Sequence, residues 1–169
     1  MIIRAEQTQD EAFIRALIYA AFENHPHHES GAKPTEHLIV DLLRANGELT
    51  LSLVAEEAEM LLGHIAFSPV TNDGNSLGWF GLGPVAVSPD HQSKGIGKQL
   101  ITEGMAQLQR LGAKGIVLLG EPGYYGQFGF QPVDRLILPG VPAQYFMAKP
   151  IDGATPSGTV AYSEAFSAI

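Results

Sequence analysis

The sequence predicts an α+β fold in which helices flank a mixed central sheet of about seven strands. Stretches with strand and helix periodicity alternate along the chain, and no internal repeat or low-complexity tract interrupts them. Asn72-Asp73-Gly74-Asn75 is a hairpin signal between two strand-like runs, and a long amphipathic helical pattern begins at Ile96. These observations predict a single domain over residues 1–169, a length that can bury a substantial core.

The N-terminal elements are predicted to be one strand and two helices. The strand is predicted at residues 2–5. Thr8 and Glu11 are expected to form a capping box at the start of the first helix. Thr35 is expected to cap the second helix, which Asn46-Gly47 ends. The apolar residues expected to face the core are Phe13, Ile14, Leu17, Ile18, Ala21 and Phe22 in the first helix and Leu38, Ile39, Leu42 and Leu43 in the second.

Three strands are predicted next, over residues 49–56, 60–70 and 79–87. The third contains Gly81 and Gly83, and glycines inside a strand indicate a bulge or a close approach by another backbone. We therefore expect this strand to be irregular near its middle.

The second half of the chain begins with the long helix, which Gly112 is expected to end. A short buried strand at 116–119 and a helix or turn at 124–128 are predicted to follow. Two more strands are expected near 131–138 and 144–151. The buried face of the long helix is predicted to carry Ile96, Leu100, Ile101, Met105, Leu108 and Leu111.

The composition excludes several classes of function. The chain has no cysteine, which rules out a disulfide framework, a thiolate zinc site and a cysteine nucleophile. Its net charge is −8 and its 10 lysines and arginines form no stripe, so no nucleic-acid partner is expected. The apolar run at the N-terminus is too short for a signal peptide, and no segment approaches the roughly 20 apolar residues of a membrane span. We therefore expect a cytoplasmic protein without a membrane partner.

The segment that joins the third of these strands to the long helix has the properties of an anion-binding loop. Val85, Ala86 and Val87 end the strand, and Gln92-Ser93-Lys94-Gly95-Ile96-Gly97-Lys98 leads into the helix. The two glycines lack the Cβ atoms that would keep an anion away from the backbone, and the first N–H groups of a helix have no intrahelical partner. Two lysines add positive charge at the same place. Together, these features predict that the junction holds a pyrophosphate.

Two other kinds of phosphate-binding loop do not fit this segment. A Walker loop needs a glycine where Gln92 stands and a serine or threonine where Gln99 stands. A dinucleotide-binding fingerprint needs a third glycine where Leu100 stands. A nucleotide-binding module is therefore not expected.

The loop resembles the acyl-CoA loop of the GNAT superfamily of N-acetyltransferases. The signature of that loop, Gln/Arg-x-x-Gly-x-Gly/Ala, is matched by Gln92, Gly95 and Gly97. Further along the chain, Tyr124-Tyr125-Gly126-Gln127-Phe128-Gly129-Phe130 is similar to the Tyr-x-x-x-Gly-Phe element of the same superfamily. The order of the predicted strands and helices is also the GNAT order.

Two stretches near the C-terminus extend the resemblance over nearly the whole chain. Residues 145–149 resemble the closing strand of the superfamily, and residues 158–162 with Phe166 resemble the ending of its YhbS-type branch. The resemblance implies a GNAT-like, mostly antiparallel sheet, acetyl-CoA as co-substrate and no metal.

The resemblance also implies roles for particular residues. In that family the strands splay at the bulge and expose backbone groups that bind the pantetheine arm, and Val85 and Val87 hold the matching positions. A backbone N–H there is expected to stabilise the oxyanion as well. Tyr125 matches the motif tyrosine and is expected to protonate the departing thiolate. The residues implied for cofactor binding are Val85, Ala86, Val87, Gln92, Ser93, Lys94, Gly95, Ile96, Gly97, Lys98, Tyr125 and Phe128.

The general base stays open at the level of sequence. Glu121 and His64 could each take the proton of an amine, although a carboxylate at a helix start and a satisfied histidine are the commoner explanations. Tyr124, which lacks the positional match, is interpreted as packing. Phe22 and Trp79 are interpreted as core residues, with acceptor contact as the alternative.

The densest titratable cluster is formed by His25, His27, His28 and Glu29. Metal binding is conceivable there, but Pro26 prevents the regular helical pair of a helical zinc motif, and no second cluster has ligand spacing. This loop is interpreted as part of the wall of the acceptor pocket.

The predicted function is transfer of an acetyl group from acetyl-CoA to a primary amine of a small molecule, a peptide terminus or a lysine. Because a thioester is already activated, direct attack by the amine in a ternary complex needs no covalent nucleophile. The alternative is a non-catalytic acyl-CoA-binding or regulatory module. Retention of the motif tyrosine together with the loop favours the enzyme, and a homodimer is compatible with this class.

Overall fold

A computed structural model describes residues 1–23 and 33–168 of the chain. Within those ranges it contains four helices and nine strands, together with short 3-10 turns. The helices are α1 (Glu11–Phe22), α2 (Glu36–Ala45), α3 (Ile96–Arg110) and α4 (Pro122–Tyr125). The strands are β1 (Ile2–Ala5), β2 (Leu51–Glu57), β3 (Met60–Asn72), β4 (Asn75–Val87), β5 (Gly115–Leu119), β6 (Gln131–Pro132), β7 (Leu136–Ile137), β8 (Phe146–Pro150) and β9 (Gly158–Ala161).

The strands form one mixed sheet that is mostly antiparallel. Its main path runs β1-β2-β3-β4-β5-β8-β6, and β9 pairs with both β3 and β7. Among these pairs, β4 with β5 and β7 with β9 are parallel. The predicted fold class is confirmed. Among the described residues, no helix is long and apolar enough to cross a bilayer.

The helices cover both faces of the sheet. On one face, buried residues of α3 such as Leu100 and Leu108 pack against β2, β3 and β5. On the other face, Ile14 and Ile18 of α1 and Val40 of α2 pack against the strands. Throughout this article, the first face is called the α3 face and the second the α1 face.

Strand β4 is bulged and then separates from β5. Opposite β3, Ile65 pairs with Val85 but Phe67 pairs with Leu82, so β4 carries one extra residue at its Gly83-Pro84 step. The pairing of β4 with β5 covers only residues 79–81 of β4. Beyond Gly81 the two parallel strands therefore part and leave a cleft between them, which agrees with the irregularity predicted from the two glycines.

Several sequence expectations about the helices are wrong in detail. The capping box before α1 is formed by Gln7 and Asp10, one residue ahead of the predicted pair, with the Gln7 N–H donating to Asp10 Oδ2 at 2.7 Å. Phe13 is 66% exposed, because the core accepts a narrower stripe of α1 centred on Ile14 and Ile18. Three leucines that were also expected in the core are exposed: Leu38 at 39%, Leu42 at 40% and Leu111 at 66%.

The strand predictions also need correction. The hairpin of β3 and β4 is longer than expected and closes at a two-residue turn, where Asp73 and Gly74 both have positive φ. The stretch at 131–138 forms two separate two-residue strands. Strand β9 was not predicted, because its pairing with Thr71 and Asn72 of β3 is a long-range contact without a local signal.

Candidate active site

A cavity of about 570 Å³ lies at the end of β4, beside the predicted anion-binding loop. Its floor is made by strand β4, its side by the loop and the first turns of α3, and its far wall by the segment around α4. The predicted cofactor residues that line it are Val85, Val87, Gln92, Ser93, Gly95, Ile96, Gly97 and Lys98. The structure thus brings most of the predicted cofactor site around one cavity.

The end of β4 presents free backbone groups to the cleft. The Ser88 N–H donates to Leu62 O of β3 at 2.8 Å, so the main-chain groups of Ser88 face β3. Because these groups alternate along a strand, those of Ala86 also face β3, whereas those of Val85 and Val87 face the side that β5 has left. Val85 and Val87 therefore offer backbone donors and acceptors to a ligand lying between the parted strands.

The loop after β4 is shaped by two residues in the left-handed region. Ser93 has φ 64° and Gly95 has φ 82° at the N-cap of α3, which turns the chain into the helix within a few residues. Gln92 Nε2 donates to Val87 O at 3.3 Å and so links the loop back to the strand. At Gly97, an added Cβ would meet only Val87 and the Tyr124 hydroxyl, at 3.6 and 3.7 Å.

Four predicted cofactor residues do not line this cavity: Ala86, Lys94, Tyr125 and Phe128. Ala86 is buried among α1 and α2 residues on the α1 face, and Lys94 is exposed at the outside of the loop. Phe128 packs against the core and against Tyr125. Sequence reasoning in turn missed four residues that line the cavity, namely His91, Ile101, Tyr124 and Gln127. The proximity of His91 to the glycine loop was the available signal for the first of them.

Tyr125 is anchored by its ring, and its hydroxyl is uncommitted. The ring packs against the α3-face core, closely over Gly120, where any Cβ would clash with it. No hydrogen bond of the Tyr125 hydroxyl exists within the described residues. Burial, together with the neighbouring Tyr124, raises the pKa of Tyr125 to about 12, so the hydroxyl is protonated at neutral pH.

Tyr124 lies closer to the loop than sequence reasoning suggested. Its ring contacts Tyr125 and Phe128 with centroid separations of 4.9 and 5.7 Å, as expected for a packing residue. It also lines the cavity, and its hydroxyl lies over Gly97 at the start of α3. Partial burial raises the pKa of Tyr124. The two adjacent tyrosines therefore point to different places, one to the loop and one toward the core beside the cleft.

The two candidates for the general base occupy different environments. Glu121 is exposed at the N-cap of α4, where its carbonyl accepts the N–H groups of Tyr124 and Tyr125. His64 is completely buried on the α1 face, opposite Ala86 of β4. Burial lowers the pKa of His64 to about 4, so its ring is neutral at neutral pH.

A buried polar cluster surrounds His64 and was not predicted. His64 Nε2 lies 2.8 Å from Ser52 Oγ, and Ser52 donates a short hydrogen bond to Glu6. Arg44 donates two hydrogen bonds to Glu6, at 2.9 and 3.0 Å. Burial alone would raise the pKa of Glu6, but the bonds from Arg44 and Ser52 hold it below its usual value.

A larger cavity, of about 780 Å³, lies between α1 and the β2–β3 turn. Phe13 and Met60 line it, and its one arginine, Arg4, is already bonded to Asp10 and Glu56 at 2.7 and 2.8 Å. No glycine stands among the described residues that line it, whereas the smaller cavity includes the glycine loop and the start of α3.

Two other predictions concern regions away from the cleft. Trp79 is 6% exposed and packs under Gly115, as expected of a core residue. The histidine-rich cluster at residues 25–29 lies outside the described residues. Across residues 1–23 and 33–168, no three His, Asp or Glu side chains are grouped so that they could hold a metal ion.

Comparison with known proteins defines the class to which this fold and site belong. The family model of the acetyltransferase (GNAT) domain matches residues 48–132, which include the loop and the tyrosine element. The chain belongs to the GNAT family and is an N-acetyltransferase. It is 38% identical to the N-acetyltransferase YhbS of Escherichia coli strain K12 over 132 residues, which are 78% of this chain and 74% of YhbS. The resemblance noted in the sequence is confirmed.

Two solved structures have the same fold over nearly the whole chain. A GNAT family acetyltransferase from Brucella melitensis in complex with acetyl-CoA has a TM-score of 0.85 and 48% identity, covering 98% of this chain and 97% of its own. YhbS from Escherichia coli in complex with CoA has a TM-score of 0.88 and 33% identity, covering 98% and 91%. Both relatives therefore hold the acyl donor or its thiol product.

Proposed function

We propose that this chain transfers the acetyl group of acetyl-CoA to a primary amine, by direct attack of the amine on the thioester in a ternary complex. The observation that carries the proposal is the parting of β4 from β5 beside a glycine loop at the start of α3. Such a cleft offers unpaired backbone groups to an extended pantetheine arm and helix N–H groups to a pyrophosphate. The acetyl-CoA held by the Brucella relative supports this choice of donor.

The proposed roles follow from the positions of the residues. Gly95 and Gly97 let the pyrophosphate approach the backbone, and Lys98 adds positive charge beside it. The free N–H and C=O groups of Val85 and the free N–H of Val87 bind the pantetheine arm, and one of these N–H groups stabilises the oxyanion of the tetrahedral intermediate.

Tyr125 is proposed to protonate the thiolate as the carbon–sulfur bond breaks. Its ring is fixed by the core beside the cleft, and its hydroxyl has no partner among the described residues that would hold its proton. A tyrosine that merely satisfied a buried carbonyl would be engaged already. The raised pKa keeps the proton on the hydroxyl until a strong base forms nearby.

Binding and turnover are tested separately. Saturating acetyl-CoA should raise the Tm, because a ligand that binds only the folded state stabilises it by mass action. Thiol release from acetyl-CoA should then depend on an added amine, measured over a panel of small amines, peptides with free N-termini and lysine-containing peptides. The absence of a Tm shift would contradict the proposed site itself.

The alternative that the sequence left open, a non-catalytic acyl-CoA-binding module, would give a different pair of results. Such a module would show the Tm shift with acetyl-CoA, but no amine in the panel would cause thiol release. The unengaged Tyr125 hydroxyl favours the enzyme, since a module that only binds the cofactor has no need of a free acid beside the thioester.

A further inference from the structure

The polar cluster on the α1 face forms a continuous line of hydrogen bonds across the sheet. It runs from His64 on β3 to Ser52 on β2 and on to Glu6, which follows β1. At its outer end, Glu6 and Ser52 line a separate cavity of about 340 Å³, and the Glu6 side chain remains 17% exposed. The line therefore connects a completely buried histidine with solvent.

The direction of the hydrogen bonds can be derived from the number of protons. The Glu6 carboxylate can only accept, so the single hydroxyl proton of Ser52 is donated to Glu6. Ser52 Oγ must then accept from His64, which places a proton on Nε2 of the neutral ring. His64 Nδ1 therefore carries a lone pair, and it is buried without a hydrogen-bond partner among the described residues.

The inner end of the line lies one strand away from the cleft. His64 pairs with Ala86 of β4, and the residues on either side of Ala86 turn their backbone groups toward the cleft. Neighbouring strands are about 5 Å apart, so His64 on the α1 face lies about one strand spacing from the backbone of β4 that borders the cleft. Around the ring, Glu6 and Arg44 are the charged groups, whereas α1 presents Ile14 and Ile18 and β4 presents Ala86.

We infer that His64, Ser52 and Glu6 carry the proton of the acceptor amine from the cleft to solvent. The inference rests on the proposed acetyl transfer, in which a protonated amine must lose one proton before it can attack. A second proton leaves the nitrogen as the amide forms, and it replaces the proton that Tyr125 gives to the thiolate. The amine proton passes through water to His64 Nδ1, the Nε2 proton passes to Ser52 Oγ, and the Ser52 hydroxyl proton passes to Glu6. Glu6 releases its proton to water in the outer cavity, so the transfer adds one proton to solvent and none to the protein. The ring is left with its proton on Nδ1, and this proton must return to Nε2 before the next turnover.

The charges of the cluster suit transport rather than storage of a proton. Arg44 keeps Glu6 ionised, so a proton that reaches the carboxylate is soon lost to water. Because the pKa of His64 is low, a proton that reaches the ring is also soon passed on. His64 is thus assigned a role in relaying the proton through water, and Ser52 and Glu6 act through His64.

Two serines provide a matched pair of variants. Ser52→Ala interrupts the line, whereas Ser68→Ala removes another completely buried serine hydroxyl on the α1 face, one that has no hydrogen-bond partner among the described residues. His64→Gln is the third variant, because an amide can donate to Ser52 but cannot pass a proton between two sites. For each variant we would measure Tm, KM for acetyl-CoA, and kcat with the most active amine from about pH 6 to about pH 9.

Ser52→Ala and His64→Gln should lower kcat by about ten- to a hundredfold near neutral pH, with an unchanged KM for acetyl-CoA. Their deficit should shrink as the pH rises, because the amine is then already neutral when it binds. Ser68→Ala should keep the wild-type kcat and pH profile. If His64→Gln fails to fold, the two serine variants decide the question by themselves.

Other outcomes would overturn the inference. A lower Tm with unchanged turnover per folded molecule would show that the cluster only stabilises the fold. An equal loss in all three variants would show a general packing effect. If the wild type binds acetyl-CoA but transfers no acetyl group to any amine, the proposed function fails first, and the relay fails with it.

Discussion

The two faces of β4 carry two very different polar regions. On the α3 face, the loop at residues 92–98 is mostly exposed, and its one side-chain hydrogen bond to another described residue is the long contact of 3.3 Å from Gln92 to the strand. On the α1 face, the cluster of Glu6, Arg44, Ser52 and His64 is largely buried, and its members bond to one another at 3.0 Å or less. The polar groups of the loop are free for a ligand, whereas nearly all polar groups of the cluster are hydrogen-bonded to one another. We therefore propose cofactor binding for the first region and proton transfer for the second.

The largest expected effect concerns the free backbone of the loop. Gly97→Asp places a side chain and a negative charge where the pyrophosphate is proposed to lie, so the Tm shift with acetyl-CoA should disappear. Differential scanning fluorimetry with and without cofactor measures this.

Gly97→Ala is the matched control. A Cβ at this position meets its neighbours at ordinary distances, so the alanine variant should fold with a normal Tm and retain part of the shift. A full shift in the aspartate variant would move the anion site away from this loop.

Tyr125→Phe should produce the next largest effect. It removes one hydroxyl that has no hydrogen bond within the described residues, so the Tm should hardly change. If Tyr125 protonates the thiolate, kcat should fall by roughly 10² to 10⁴ while KM for acetyl-CoA stays similar. Steady-state kinetics over both substrates measures this, and a saturated rate close to that of the wild type would exclude the proposed acid.

The buried cluster should reveal itself in the pH dependence of stability. The pKa of His64 is about 4 in the folded protein and near 6.5 when unfolded, so the unfolded chain binds more protons between these values. The stability that the neutral ring contributes is complete above about pH 6.5 and is lost as the pH falls toward about 4, by a few kcal/mol at most. Urea unfolding of the wild type should show this loss.

His64→Gln removes the titrating group and should flatten the profile in that window. Lys98→Gln in the loop is the control. It changes a charge at an exposed position and should leave the shape of the stability profile against pH unchanged. An equally steep loss in the histidine variant would assign the acid sensitivity to other groups.

The difference between the two regions also explains which of them the sequence could predict. The loop is contiguous, so Gln92, Gly95 and Gly97 have a fixed spacing that can be recognised directly. The cluster is assembled from four separate parts of the chain, and Glu6 is 38 positions from Arg44 and 46 positions from Ser52. No local pattern connects these residues, and sequence reasoning reached only His64, as one of two candidate bases.

The fold also has features that a local sequence pattern predicts and features that depend on long-range packing. The bulge in β4 was predicted because Gly81 and Gly83 interrupt a β-branched strand, and the two-residue turn followed from the hairpin signal. Phe13 was misplaced because apolar spacing gives the direction of a helix face but not how wide a stripe the core accepts. The width of the buried stripe depends on the residues that pack against the helix, and these are distant in sequence.

The smallest expected effect distinguishes the two tyrosines within the cofactor region itself. Tyr124 is 42% exposed, and its hydroxyl lies over Gly97, where the cofactor phosphates are proposed to bind. Tyr124→Phe should therefore raise KM for acetyl-CoA a few-fold, about the worth of one exposed hydrogen bond, and leave kcat unchanged. The opposite pattern, a fall in kcat with unchanged KM, would transfer the role of acid from Tyr125 to Tyr124. Since the two side chains are adjacent and differ mainly in where their hydroxyls lie, the paired variants compare position alone.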